Sequence, residues 1–193
     1  LLDGRAIEAA FLVFDDALGR TVRVYAARCL PRGGDRPAAI VVHCPGGGQT
    51  VQPRDLAWWA GHGFAAASFD WQIGDFPAHD PKRKSIWPEG VVSQGARAER
   101  IEQAVLPLAI EAAGVVIDWM QQADGVDGTA VGVAGISWGG YLTWAVNAHE
   151  PRVRAAAPVY GCGGLFEPGH AYAVPNRHLP EDVTRTWREQ WGA

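Results

Sequence analysis

A serine flanked by glycines is the feature of this sequence that most directly suggests chemistry. Gly135-Ile136-Ser137-Trp138-Gly139 matches the pattern G-x-S-x-G, and another glycine follows it. The apolar run at 129–134 is typical of a strand, and the residues from Trp138 onward are typical of a helix. A serine on such a sharp strand-to-helix turn projects above the sheet, where it is exposed as a nucleophile. The alternative is a serine that only caps the helix. The context favours Ser137 as a nucleophile for acyl transfer.

A second glycine-rich stretch follows an earlier apolar strand, in His43-Cys44-Pro45-Gly46-Gly47-Gly48-Gln49. The oxyanion that forms during acyl transfer needs preorganised N–H donors. One donor is normally the residue after the nucleophile, here Trp138, and the other comes from a loop of this kind. We expect that second donor to be Gly47 or Gly48. The alternatives are a turn required for packing and a phosphate-binding loop, and the latter is disfavoured because no Gly-Lys-Ser/Thr follows.

Four motifs together give the sequence a resemblance to a known family. They are Gly-Gly-Gly-Gln-Thr at 46–50, Ser-Phe-Asp-Trp at 68–71, G-x-S-x-G-G at 135–140 and Tyr-Gly-Cys-Gly at 160–163. From about the first strand to Gly164, the chain resembles the acetyl xylan esterase and prolyl-oligopeptidase-like branch of the α/β-hydrolases. It departs from many relatives at Pro45, where they carry a histidine just before the glycines. Dienelactone hydrolases share the fold but use a cysteine nucleophile, whereas position 137 is serine.

The resemblance implies a serine carboxylic-ester hydrolase that uses no cofactor and no metal. It would remove acetyl groups from a carbohydrate or a small ester through an acyl-enzyme on Ser137. The amides of Gly47 or Gly48 and of Trp138 would hold the oxyanion. Two alternatives remain open: a peptidase of the prolyl-oligopeptidase type, and a non-catalytic binding domain on the same scaffold.

The histidine and the acid of a catalytic triad are harder to assign. In this fold they follow the nucleophile in the order serine, acid, histidine, at the ends of two further strands. Only 193 − 137 = 56 residues follow Ser137, and the histidines among them are His149, His170 and His178. The order disfavours the upstream histidines, which are His43, His62 and His79. We therefore expect the acid and the histidine beyond Ala193, so that this chain alone would hydrolyse esters very poorly. The rival explanation is a degenerate, non-catalytic relative.

Alternation of strands and helices predicts the fold class. The predicted strands are Phe11–Phe14, Thr21–Ala27, Ala38–Cys44, Phe64–Phe69, Thr129–Ala134 and Val153–Val159. The predicted helices are Arg54–Gly61, Ile101–Met120, Trp138–Asn147 and Glu181–Trp191. An antiparallel start followed by strand–helix alternation predicts an α/β fold with a mostly parallel sheet and helices on both faces. We expect one domain over residues 1–193 that lacks its last strands.

The composition disfavours several classes of partner. The net charge is −4 with no basic stripe, so nucleic acid is not expected, and no apolar run is long enough to predict a membrane span. A small-molecule or carbohydrate ester is the expected partner. Because the first residue is not Met, the sequence leaves the compartment open, cytoplasmic or secreted, and it also leaves the oligomeric state open.

Some side chains allow a structural or a functional interpretation. Cys29, Cys44 and Cys162 lack metal-type or redox spacing and are best interpreted as small buried hydrophobes, although a Cys44–Cys162 contact is conceivable. Asp70 follows a predicted strand at the sheet edge where sites lie, but capping or bonding the adjacent loop is its expected role. Three tryptophans are candidates for a pocket wall, with Trp138 favoured because it neighbours the nucleophile; they are Trp71, Trp87 and Trp138.

Overall fold

The computed structural model describes residues 4–17, 19, 21–46, 50–70 and 106–161. These residues form six strands: β1 (Glu8–Asp15), β2 (Thr21–Cys29), β3 (Ala38–Cys44), β4 (Ala65–Phe69), β5 (Val126–Ile136) and β6 (Val153–Val159). They also form three helices: α1 (Pro53–Gly61), α2 (Leu106–Gln121) and α3 (Trp138–His149). The predicted helix Glu181–Trp191 lies outside the described residues.

The six strands form one sheet in the order β1-β2-β4-β3-β5-β6. β1 and β2 pair antiparallel, as do β2 and β4, whereas β4, β3, β5 and β6 run parallel. This confirms the predicted α/β fold with antiparallel N-terminal strands. Because parallel strands end at the same edge of a sheet, the residues that follow β3, β5 and β6 lie near one another.

Helices cover both faces of the sheet, as the sequence predicts. On one face α2 and α3 pack against alternate strand residues, such as Val24 of β2 and Val42 of β3. On the other face Leu56 and Ala60 of α1 pack against Ala66 of β4 and neighbouring small residues. α1 starts with a proline, a residue favoured at the start of helices because its missing N–H would have no partner there.

The observed β5 is longer than the predicted strand, which began at Thr129. An Asx-type turn explains the difference, because Asp127 accepts bonds from the Thr129 amide (2.9 Å) and hydroxyl (2.7 Å). These bonds hold the pKa of the Asp127 carboxyl below its ordinary range. The pairing register of β3 and β5 shifts at this point, so local polar residues interrupt the apolar pattern without ending the strand.

Arg152 joins the α3–β6 turn to α2. Its Nε and one terminal nitrogen donate to the Glu150 carboxylate at 2.8 and 2.7 Å, and it also contacts Asp118 and Gln121. The same nitrogen that reaches Glu150 Oε2 donates to the Gly114 carbonyl at 3.1 Å. The guanidinium fork therefore holds a helix and a turn that are distant in sequence. These bonds also lower the pKa of Glu150 below its ordinary range.

We expect Arg152→Ala to reduce the free energy of unfolding by about 1–3 kcal/mol, because Glu150 is largely buried and would lose its partner. Denaturant unfolding of the whole protein measures the change. Arg154→Ala is the matched control, since Arg154 is exposed on β6 two residues further along the chain, and its effect should stay within about 0.5 kcal/mol. Since the folded pKa of Glu150 is lowered, its contribution is full above about pH 4.3 and is lost as the pH falls through the folded pKa. An Arg152→Ala deficit that did not shrink at acidic pH would contradict this assignment.

Candidate active site

Ser137 stands at the turn between β5 and α3 in a strained backbone conformation. Its φ is 59° and its ψ is −119°, a region that L-residues rarely occupy and that costs on the order of 1–3 kcal/mol. The Ser137 N–H donates to the Val159 carbonyl at 2.8 Å, and the Ser137 carbonyl accepts from the Tyr141 N–H at 3.0 Å. Although Ser137 occupies the N-cap position, its side chain makes no capping hydrogen bond. The hydroxyl therefore does not have the role of an ordinary helix cap.

Glycines surround this turn because the backbone segments there touch. A Cβ on Gly135 would lie 2.7 Å from the Cys44 carbonyl oxygen, and one on Gly139 would overlap that oxygen and lie 2.9 Å from the Pro45 oxygen. On the β6 side, a Cβ on Gly140 would lie 2.7 Å from the Gly161 nitrogen. Real Cβ atoms essentially never approach backbone this closely. The glycines of the motif thus let the ends of β3 and β6 close around the serine.

A cavity of about 580 Å³ opens beside Ser137, and we call it the Ser137 cavity. Gly46, the first glycine of the loop after β3, lines it together with Ser137. Gly47 and Gly48, the expected oxyanion donors, lie outside the described residues, as do Trp71 and Trp87. The remaining described lining residues are His43, Asp55, Trp58, Trp59, Ala134, Gly135, Ile136, Ala157 and Val159.

Trp138 does not have the side-chain role that the sequence favoured. Its ring packs against the core and lies 5.1 Å from the Tyr141 ring, and it does not line the Ser137 cavity. The reason is geometric: Trp138 is the first residue of α3, and its side chain falls on the helix face that meets the sheet. The aromatic wall of the cavity comes instead from Trp58 and Trp59 of α1.

The sequence did not indicate one polar contact in the Ser137 cavity, that between His43 and Asp55. His43 Nε2 lies 3.3 Å from Asp55 Oδ2, and the histidine side chain is only 12% exposed. His43 Nδ1 is enclosed and has no hydrogen-bond partner, so neither ring nitrogen bonds to Ser137. The signal available in the sequence was the position of each residue, His43 next to the end of β3 and Asp55 in the first turn of α1.

The other two histidines of the described residues lie away from Ser137. His62 follows α1, and its Nδ1 is 2.8 Å from the Trp58 carbonyl oxygen. His149 ends α3, about 18 Å along the helix from Ser137 at 1.5 Å per residue. Burial lowers the pKa of His149, which fits a structural residue. His79, His170 and His178 lie outside the described residues.

The described cysteines are buried free thiols, as the sequence interpretation had it. Burial raises the pKa of Cys44 to about 12, despite a hydrogen bond with Thr143, and it also raises the pKa of Cys29. A thiol of this kind is not a nucleophile near neutral pH. Cys162 lies outside the described residues.

Asp70 is buried, and its N–H donates to the Tyr25 carbonyl at 2.8 Å.

The described residues also bear on metal binding and on membrane spans. In these ranges there is no group of three or more His, Cys, Asp or Glu side chains able to hold a metal ion. The helices within the same ranges are too short or too polar to span a bilayer.

Comparison with known proteins gives one family match and several structural matches. Residues 6–167 match the acetyl xylan esterase family. Among solved structures, an acetyl xylan esterase from Paenibacillus sp. R4 aligns with a TM-score of 0.59 and 21% identity, over 96% of this chain and 58% of that one. A ferulic acid esterase from Streptomyces cinnamoneus aligns with a TM-score of 0.57 and 17% identity, over 82% and 60%.

A putative dienelactone hydrolase from Klebsiella pneumoniae also aligns, with a TM-score of 0.50 and 23% identity, over 81% of this chain and 60% of that one. At these identities the structural matches show a shared fold. This chain spans about three fifths of the length of these relatives. No curated protein sequence matches it.

Proposed function

This chain belongs to the acetyl xylan esterase family, and we propose that the whole protein is a serine carboxylic-ester hydrolase that removes acetyl groups from a carbohydrate or another small ester. The observation that carries the proposal is the state of Ser137. It has a strained backbone at a strand-to-helix turn, a side chain without a capping bond, and a place in the wall of a cavity. Strain of this kind persists where the surrounding structure enforces it, and it is concentrated at functional sites.

The reaction that we propose begins with attack of Ser137 Oγ on the acyl carbon. A new C–O bond forms, the carbonyl electrons move to the oxygen, and the resulting oxyanion accepts hydrogen bonds from two backbone amides. One is the amide of Trp138, at the start of α3, where helix N–H groups and the helix dipole favour negative charge. The other is Gly47 or Gly48, next to the cavity residue Gly46. Collapse breaks the bond to the alcohol oxygen, which leaves as the alcohol with the proton that the base took from Ser137. Acetyl-Ser137 remains, and water hydrolyses it to acetate and free Ser137.

The hydroxyl proton of Ser137 must pass to a base during this attack. The Nε2 of His43 lies 3.3 Å from Asp55 Oδ2 and its Nδ1 is enclosed, and His62 and His149 lie elsewhere in the fold. We therefore propose that the base and its orienting acid lie outside the described residues, downstream of Ser137 in the order serine, acid, histidine.

Acetate release by the whole protein tests the function. We expect acetate from acetylated xylan and from small acetyl esters, with one equivalent of a fluorophosphonate probe bound to Ser137. Cleavage of proline-containing peptides without ester hydrolysis would instead indicate a peptidase. Absence of both turnover and labelling would indicate a non-catalytic binding domain. Labelling that persists in Ser137→Ala would refute the nucleophile.

A further inference from the structure

We propose that Asp55 and Trp58 form a binding site for the sugar ring that carries the ester, so that α1 recognises the alcohol part of the substrate. This inference rests on the proposed function and adds to it a recognition site with a defined chemistry. Both residues line the cavity that contains Ser137. They are three positions apart on α1, a spacing that places side chains on the same helix face.

Several exposed apolar side chains line this cavity. Trp58 is 56% exposed, and Ile136 and Val159, which line the same cavity, are also exposed large hydrophobic residues. Single exposed hydrophobic residues are ordinary, but a contiguous group rimmed by polar side chains marks a binding surface. Here the polar rim consists of Asp55, His43 and Ser137. The cavity therefore combines an apolar wall with a few directed hydrogen-bonding groups, as small-molecule sites do.

Trp58 is held in a defined orientation by its neighbours. The Trp59 ring meets it edge-on, with centroids 5.0 Å apart and an interplanar angle of 82°. The His62 ring lies against it at 4.1 Å, and the His62 Nδ1 contact with the Trp58 carbonyl fixes that histidine. An aromatic ring that is already immobile loses little conformational freedom on binding. Its remaining surface suits the apolar C–H face of a pyranose ring.

Asp55 supplies the polar half of the site. Its Oδ2 faces His43 Nε2, and the carboxylate is 46% exposed, which leaves acceptor capacity for ligand hydroxyls. A hydroxyl donated to a carboxylate makes a hydrogen bond stronger than one between neutral groups. A ring with an apolar face and donating hydroxyls at its edge matches both residues, and this describes a neutral sugar. An anionic ligand would be repelled by Asp55.

Binding of xylotriose to the Ser137→Ala variant of the whole protein, measured by titration calorimetry, tests the site without turnover. Adding Trp58→Ala should weaken binding about tenfold, because the stacked apolar surface is lost. Adding Asp55→Asn should weaken it about fivefold. The matched controls are Trp144→Ala, a 47% exposed tryptophan on α3 outside the cavity, and Asp35→Asn in an exposed loop, and both should leave the affinity unchanged.

Hydrolysis rates on two different esters distinguish failure of the sugar site from failure of the proposed function. In the Trp58→Ala enzyme, kcat/KM should fall about tenfold more for acetylated xylo-oligosaccharides than for ethyl acetate, whose alcohol is too small to span the site. Equal losses on the two esters, or unchanged xylotriose affinity in both cavity variants, would overturn the sugar site and leave the esterase intact. A wild-type protein that hydrolyses neither ester would overturn the proposed function and the sugar site together.

Discussion

Replacing Ser137 with alanine should lower kcat on acetyl esters by about 10⁴–10⁶-fold. The proposed nucleophile would then be absent, and only transition-state binding by the remaining amides would be left. Stability should change little, because alanine at a φ of 59° is strained much as serine is. The serine hydroxyl makes no capping bond whose loss would weaken α3. Activity and stability should therefore separate at this position.

Ser137→Gly is a stricter test of the expected separation of activity and stability. Glycine occupies positive φ without a Cβ penalty, so this variant should be inactive and yet more stable than wild type by about 1 kcal/mol. The measurements are initial rates of acetate release and denaturant unfolding curves for the wild-type, Ser137→Ala and Ser137→Gly proteins. If Ser137→Ala retained more than about a hundredth of the wild-type kcat, the nucleophile would have to be another residue.

The sequence was sufficient to predict the parts of the molecule that depend on local patterns. Apolar runs bounded by turn residues predicted the parallel strands, and the G-x-S-x-G motif predicted a serine on a sharp turn between β5 and α3. The boundaries were less accurate, as at Thr129, where an Asx-type turn breaks the apolar pattern inside a continuous strand. Local pattern carries no information on such a register shift.

The site was only partly predictable, because its remaining residues meet through long-range packing. His43 and Asp55 are separated by a glycine loop, and their contact depends on how closely α1 sits against β3. Which tryptophan lines the cavity, Trp58 or Trp138, was likewise not predictable from local pattern. Proximity in sequence to Ser137 favoured Trp138, whereas the orientation of the helices turns Trp138 toward the core and Trp58 toward the cavity. Helix orientation follows from the packed sheet as a whole.

Among single methyl additions at the turn between β5 and α3, Gly139→Ala should be the most damaging. Its Cβ would overlap the Cys44 carbonyl oxygen and lie 2.9 Å from the Pro45 oxygen, and neither backbone atom can rotate away. Relief requires α3 to move from the end of β3, which we expect to cost about 3 kcal/mol or more. The same movement would shift the Trp138 amide relative to the glycine loop. Since misplacement by about 1 Å can cost about 10²-fold in rate, kcat should fall at least that far.

Gly132→Ala is the matched control in the same strand, β5. A Cβ there would meet its nearest atoms, the carbonyl oxygens of Ala155 and Ile40, at 3.6 Å, which is ordinary contact. An alanine in a strand also avoids the entropy cost of glycine, so stability should hold or rise by about 0.5 kcal/mol, with activity retained. Equal losses in the two variants would mean that β5 tolerates no added volume anywhere. A loss confined to Gly139→Ala would show that the contact of α3 with β3 governs the geometry around Ser137.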